Sequence, residues 1–365
     1  MPLAVGSATP SAVYQGAQPV TAIYQGSALV WSAASADPWA NTPLGVTAVT
    51  LSTAPTDGNT IAQNRAADFQ QLSDLGIKHL RVLVQWPDTE YNQGSYDWTT
   101  TDTYVNGAYA KGINILACVT YAPGWAQGTQ GQGGAHGAPN NLTAWTNFVT
   151  AAADRYADKI SHWEIWNEEN IQPSWYPTPS AAAYKPYLQA AFTALKAENP
   201  NNVVITGGTA PTLTSGPQIS PPKFMTDLYA AGGKPYFDAV AFHPYDVPYQ
   251  LSAPSSDQWR SQQHITGIRD AMVANGDSAK KMWFTEFGAS TPTPPGDYGV
   301  SESQQSVLLA DGIDYMRSLS YCGPIFIFDF RDTHTGTSND QENYGIYRTN
   351  RTAKPAAAQV LQRTT

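Results

Sequence analysis

Residues 162–207 read HWEIWNEENIQPSWYPTPSAAAYKPYLQAAFTALKAENPNNVVITG. His162–Asn167 is a short apolar run that stops at Asn and Glu. A loop rich in Pro and Ser follows, then the helical stretch Ala181–Asn199, then a second apolar run, Val203–Gly207. Strand, helix and strand in that order form a unit whose strands lie parallel with the helix across one face. The same alternation extends in both directions. Strands are predicted at Val46–Leu51, His79–Val84, Asn114–Thr120, His162–Asn167, Val203–Gly207, Phe237–Phe242, Lys281–Phe287 and Ile325–Phe330. Helices are predicted at Thr60–Leu75, Thr99–Lys111, Leu142–Asp158, Ala181–Asn199, Pro222–Ala231, Asp257–Asn275, Ser303–Ser320 and Pro355–Arg363. Eight such units over about 320 residues make an α/β protein, a (β/α)8 TIM barrel. An open doubly wound sheet would need a Gly-rich phosphate turn after its first strand, and none is present there.

Composition narrows the function. The 365 residues are 42% hydrophobic and 12% aromatic, enough for one large core. Net charge is −9, which opposes a phosphate-backbone partner, so no nucleic acid is expected. No apolar run approaches the ~20 residues of a membrane span. The 11 Trp and 20 Tyr suit a carbohydrate cleft, and also an ordinary core. Cys118 and Cys322 form neither a disulfide framework nor a metal knuckle, and are expected as buried free thiols. The six histidines, His79, His136, His162, His243, His264 and His334, contain no His-x-His pair. A metal-dependent hydrolase would need clustered ligands, so neither metal nor cofactor is expected. The opening Met-Pro-Leu-Ala-Val-Gly has no basic or apolar signal segment, so no secretion signal is read there.

A TIM barrel carries its chemistry at the C-terminal ends of its strands. Strand four ends Trp166-Asn167-Glu168, and strand seven ends Thr285-Glu286-Phe287-Gly288. Two carboxylates facing one another across a barrel mouth are what glycoside hydrolysis requires. With these residues the chain resembles the clan A glycoside hydrolases, the retaining (β/α)8 enzymes that include families 5 and 39, from Gly45 to Gln362. The resemblance implies Glu168 as general acid/base and Glu286 as nucleophile. It extends to His243-Pro244-Tyr245, whose Tyr hydroxyl supports the nucleophile, and to Arg81, placed near it. Glu342-Asn343-Tyr344-Gly345-Ile346 and Lys354-Pro355 resemble the closing loop and last helix.

Two features depart from that pattern. Many family 5 members carry a His after strand three; here the run is Thr120-Tyr121-Ala122-Pro123-Gly124-Trp125. Strand eight often ends in a Trp that floors the subsite beside the scissile bond. Here it reads Phe328-Asp329-Phe330-Arg331-Asp332, so the floor is Phe330 or is missing.

Supporting roles follow from the chemistry. Asn167 is expected to hydrogen-bond the sugar 2-hydroxyl. Arg81 and Tyr245 favour the charged form of Glu286. Arg81 can also pair with Glu164 inside the barrel. Glu168 has to hold its proton near neutrality. Tyr121, Trp125, Trp166 and Trp175 are candidate sugar contacts, the Trp residues as stacking walls. The glycine-rich stretch Gln127–His136 has no Lys or Arg and is expected as a mobile loop at the cleft rim. A non-catalytic carbohydrate-binding barrel is the alternative; loss of either Glu would have favoured it.

The N-terminal stretch is different. Val13-Tyr14-Gln15-Gly16 recurs ten residues later as Ile23-Tyr24-Gln25-Gly26, each reading as strand, turn and strand. Residues 1–38 are expected to form a β-rich arm and linker, with the barrel occupying 39–365. The repeat resembles those opening minor tail proteins of actinobacterial phages. That likeness implies virion tail proteins as partners, an oligo- or polysaccharide of a host surface as substrate, and action at the virion tail or outside the cell.

Overall fold

The computed structural model describes residues 13–15, 18–20, 22–25 and 28–32 by their backbone, and then 39, 41–47, 60–296 and 299–364. Two compact units emerge, Met1–Asn41 and Thr42–Thr365. The first contains two antiparallel hairpins. β1 (Val13–Gln15) pairs with β2 (Gln18–Val20), and β3 (Ala22–Gln25) with β4 (Ala28–Ser32). Tyr14 faces Pro19 and Tyr24 faces Leu29, so each repeat is one hairpin.

The second unit is the (β/α)8 barrel. Its strands are β5 (Leu44–Thr47), β6 (His79–Gln85), β7 (Asn114–Thr120), β8 (His162–Asn167), β9 (Val203–Gly208), β10 (Val240–Phe242), β11 (Met282–Phe287) and β12 (Cys322–Ile327). All pair in parallel, in the order β10-β11-β12-β5-β6-β7-β8-β9. Parallel bridges at Ile205–Ala239 and Thr209–Phe242 bring β9 to β10 and close the ring. Residues of β8, β11 and β12 are buried throughout, as strands with both faces covered must be.

The helices cover the outside through one apolar face each. In the helix Leu142–Arg155 the buried residues are Ala144, Trp145, Phe148, Val149, Ala152 and Ala153, a 3.6-residue repeat. Asn141 caps it, accepting from the Ala144 N–H. Burying Trp145 or Phe148 contributes about 1.5–3 kcal/mol each, and Phe148→Ala would cost about 3–5.

Several predicted boundaries shift: strand six begins at Val240, not Phe237, the Leu142 helix ends at Arg155, not Asp158, and two further shifts stand out. The expected Asp257–Asn275 helix runs Ser261–Ala274, because Asp246 reaches over and accepts the Ser261 N–H at 3.0 Å. Strand eight runs Cys322–Ile327, not Ile325–Phe330; beyond Ile327 regular pairing stops, leaving single bonds from the Phe328 N–H to Phe287 O and the Phe330 N–H to Thr47 O. Positions 48–51 of the first predicted strand lie outside the described residues. Cys118 and Cys322 are buried and free, on β7 and β12, which are not neighbours. Among the described residues, no helix is long and apolar enough to cross a membrane.

Candidate active site

Three non-glycine residues at the ends of β7 and β8 have positive φ: Tyr121 (63°), Trp166 (78°) and Glu168 (56°). This region is costly for a bulky side chain and recurs where function fixes the backbone. The turn at Trp166 and Glu168 carries the chain out of β8 while the Glu168 N–H stays paired to Gly208 O at 3.0 Å.

Arg81, wholly buried on β6, sits at the centre. Its Nε donates to Glu164 Oε2 at 2.6 Å, Nη1 to Glu286 Oε1 at 2.6 Å, and Nη2 to Asn167 Oδ1 at 2.8 Å. The two expected roles of Arg81 therefore coexist. Asn167 is held at its other end too, Nδ2 donating to the Tyr121 hydroxyl at 3.1 Å. Tyr245 donates its hydroxyl to Glu286 Oε2 at 2.8 Å. His243 places Nδ1 3.1 Å from Glu168 Oε1 and Nε2 3.1 Å from Thr285 Oγ1. Glu168 and Glu286 keep 23% and 12% of their side chains exposed, whereas Arg81 and His243 keep none. The carboxylates can meet a ligand; the cation and the imidazole work from behind them.

Burial alone would raise the pKa of Glu286. The charges of His243 and Arg81 and hydrogen bonds from Tyr245 and Arg81 outweigh it and hold the carboxyl below its usual range. Burial, then the charge of Glu286, pushes the Tyr245 phenol up, so it remains a donor.

One oxygen each of Glu168 and Glu286 and a nitrogen of His243 lie within 4.8 Å of one another. Three such atoms can ligate a cation, but Arg81 already stands 2.6 Å from Glu286 and repels a second positive charge.

Several expected contacts fall elsewhere. Trp166 and Trp175 are enclosed in the core, 0% and 1% exposed, packed on each other and on Trp145, Tyr184 and Tyr187; neither ring offers a stacking face. Phe330 is fully buried against Tyr347 and its N–H pairs with Thr47 O, so it is not the floor. Phe328 is the half-buried ring of that run, meeting Tyr245 and Tyr344. Trp125 is half-buried, its Nε1 donating to Glu90 O. Tyr121 is nearly buried beneath His136, whose ring stacks on it at 3.6 Å. The glycine-rich stretch is tied down: His136 N–H donates to Pro173 O and Tyr176 N–H to His136 O, both at 2.7 Å. His136, Phe328, Tyr344 and Thr285 were not singled out by sequence. A loop histidine or tyrosine carries no periodic signal, though Thr285 immediately precedes Glu286.

A family model for cellulase, glycosyl hydrolase family 5, matches residues 40–323. The chain belongs to glycosyl hydrolase family 5. Solved structures share its fold. A family 39 glycoside hydrolase from the gut symbiont Bacteroides cellulosilyticus WH2 superposes with TM-score 0.68 at 19% identity, over 88% of this chain and 63% of that one. A monomeric β-xylosidase from Caulobacter crescentus CB15 gives 0.65 at 18%, over 88% and 67%. A GH5_18 structure from Streptomyces cattleya in complex with GlcNAc gives 0.65 at 15%, over 88% and 79%. This family 5 chain thus spans less than two thirds of the family 39 structure.

Proposed function

We propose that this family 5 protein is a retaining glycosidase that cleaves a β-linked glycan by double displacement, with Glu168 as acid/base and Glu286 as nucleophile. The observation that carries the reading is the unlike setting of two carboxylates whose nearest oxygens lie within 4.8 Å. Retaining enzymes hold their carboxyl groups about 5–5.5 Å apart, inverting ones about 6.5–9.5 Å. Glu286, bonded to a guanidinium and a phenol, is suited to stay ionised and attack. Glu168, bonded to an imidazole, is suited to exchange a proton.

In the first step a Glu286 oxygen bonds the anomeric carbon. The glycosidic C–O bond breaks, its electron pair leaving with the departing oxygen, which takes the Glu168 proton. In the second step water adds to the same carbon and gives a proton to Glu168, and the ester electrons return to Glu286. Asn167, fixed at both ends, faces the 2-hydroxyl in this scheme. A β-xylosidase among the structural neighbours supports a β-linked substrate.

Glu286→Gln should abolish turnover of aryl β-glycosides, and azide should not restore a retained product. Glu168→Ala should keep turnover of dinitrophenyl glycosides and gain rate with azide, because a good leaving group needs no proton. Equal loss in both variants on every substrate would refute the roles.

We also propose that residues 1–38 attach the barrel to a larger assembly, a virion tail or a second copy of the chain, so that it acts on a surface glycan. The short hairpins β1–β2 and β3–β4 support this, since paired ribbons keep free edges that accept a partner strand. A chain beginning at Asp37 should match full length in melting temperature and turnover while losing any self-association seen by light scattering; lost turnover would count against an accessory arm.

A further inference from the structure

Behind the two carboxylates runs a line of hydrogen bonds whose direction can be worked out. Glu164 is wholly buried and accepts three donors: Arg81 Nε at 2.6 Å, the Gly208 N–H at 3.0 Å and the Thr285 hydroxyl at 2.8 Å. Beside a guanidinium at that distance it is a carboxylate, which only accepts. The single Thr285 proton is therefore committed to Glu164. At its contact with His243 Nε2, Thr285 Oγ1 can only accept. Nε2 must then carry a hydrogen, and in the neutral ring Nδ1 is left as the acceptor. Nδ1 is the atom facing Glu168 Oε1 at 3.1 Å, so one proton is shared between the imidazole and the acid/base.

We infer that Thr285 is a positioning residue for the acid/base step: it passes the orientation of Glu164 to His243, which fixes the imidazole hydrogen on Nε2 and turns Nδ1 to the Glu168 proton. This rests on the reading of Glu168 as acid/base. A second observation stands apart from the hydrogen bonds. A Cβ on Gly208 would lie 2.2 Å from His243 Nε2 and 2.6 Å from Thr285 Oγ1. The bare backbone at 208 is what lets the pair approach. The charged and titratable groups around His243 are Glu168 from the loop after β8, Glu286 from β11 at 3.7 Å, and the Tyr245 ring; Glu164 and Arg81 lie one bond further, through Thr285 and Glu286.

The test compares Thr285→Val, which keeps the shape and removes the hydroxyl, with Thr285→Ser, which restores it. Gly208→Ala serves as a second way to part the pair. Substrates are the phenyl and 2,4-dinitrophenyl β-glucosides, β-mannosides and β-xylosides. Thr285→Val should lower kcat/KM tenfold or more on phenyl glycosides, where the leaving oxygen needs a proton. It should lower it less than threefold on dinitrophenyl glycosides and displace the basic limb of the pH profile. Thr285→Ser should return close to wild type. In ¹⁵N-histidine spectra, the His243 Nε2–H pattern of wild type should give way to a mixed tautomer in Thr285→Val.

Equal loss on both leaving groups with an unmoved pH profile and an unchanged tautomer would mean a structural role and overturn the proposal. If Glu168→Ala shows leaving-group dependence and Thr285→Val does not, this proposal alone fails. If Glu168→Ala shows none, or wild type hydrolyses none of the six substrates, the acid/base assignment fails and takes the proposal with it. A variant whose melting point collapses is replaced by Gly208→Ala, judged by the same readouts.

Discussion

Tyr245→Phe isolates one hydrogen bond to the proposed nucleophile. The phenol donates to Glu286 Oε2 at 2.8 Å, while the ring packs edge-on against Phe328 and Tyr344. Phe keeps the ring and those contacts and loses the donor. A hydrogen bond to a charged acceptor is worth about 1.5–3 kcal/mol. Its loss therefore raises the pKa of Glu286. The sign follows from the native state. Glu286 is held below 4.5, so its contribution to stability is present above that value and lost as pH falls through the folded pKa. The variant should therefore lose activity and stability at higher pH on acidification than wild type. The assay is kcat/KM against pH on a dinitrophenyl glycoside, whose leaving group does not depend on Glu168, so the acid limb reports Glu286 in the free enzyme. The loss near pH 7 should be smaller than at pH 4. An acid limb that stays in place, with equal loss at every pH, would refute the electrostatic role of Tyr245.

Glu169 is wholly buried, and no other described residue hydrogen-bonds its side-chain oxygens; only its own backbone N–H lies near them. It lies where a Cβ on Gly207 would stand, 2.1 Å from Oε2. Burial, reinforced by the charges of Glu164 and Glu168, pushes its pKa well above 4.5 against its own backbone hydrogen bond. The folded state then holds a proton that the unfolded state releases, so this group makes stability fall as pH rises above 4.5. Glu169→Gln should flatten that decline, gaining on wild type in urea midpoint between pH 5 and pH 8; an equal difference at both would refute it. Cys118 and Cys322 should both resist aqueous thiol reagents in the native protein and react after denaturation, as expected of buried thiols whose pKa values burial raises. Rapid native labelling would contradict their burial.

The barrel was legible because its strands and helices carry periodic apolar patterns, and helix starts at Ile61, Thr99, Leu142 and Ala181 lie within a residue of expectation. Glu168 and Glu286 were legible because strand ends alone place them at the mouth. The place of Phe330, named from the resemblance, was not legible. Phe328 and Phe330 share parity, but after Ile327 the chain pairs with Thr47 and Tyr347 and sends Phe330 into the core. Trp166 and Trp175, candidate stacking walls in and after strand four, are not free to meet sugar. The positive φ at Trp166 turns its ring among Trp145, Trp175 and Tyr121 instead. His136 reaches Tyr121 only because the fourteen intervening positions fold back and His136 pairs with the stretch from Pro173 to Tyr176, a tertiary match that no local pattern encodes.

The charge balance of the interior bears on how two glutamates can take different roles. Arg81 is one cation shared by two carboxylates, Glu164 and Glu286. One more proton lies between His243 and Glu168, whichever of the two holds it. With that proton present, the group of Arg81, Glu164, Glu286, Glu168 and His243 carries a net charge of −1; without it, −2, in a site where His243 and Arg81 are wholly buried. On the proposed assignment, ester formation removes the Glu286 charge. Glu168 can then release its proton to the leaving oxygen and remain a base, with the net charge never passing −1. The same count explains why the cation belongs behind Glu286 and not behind Glu168. An arginine bonded to Glu168 would hold it ionised at the moment when it has to be an acid.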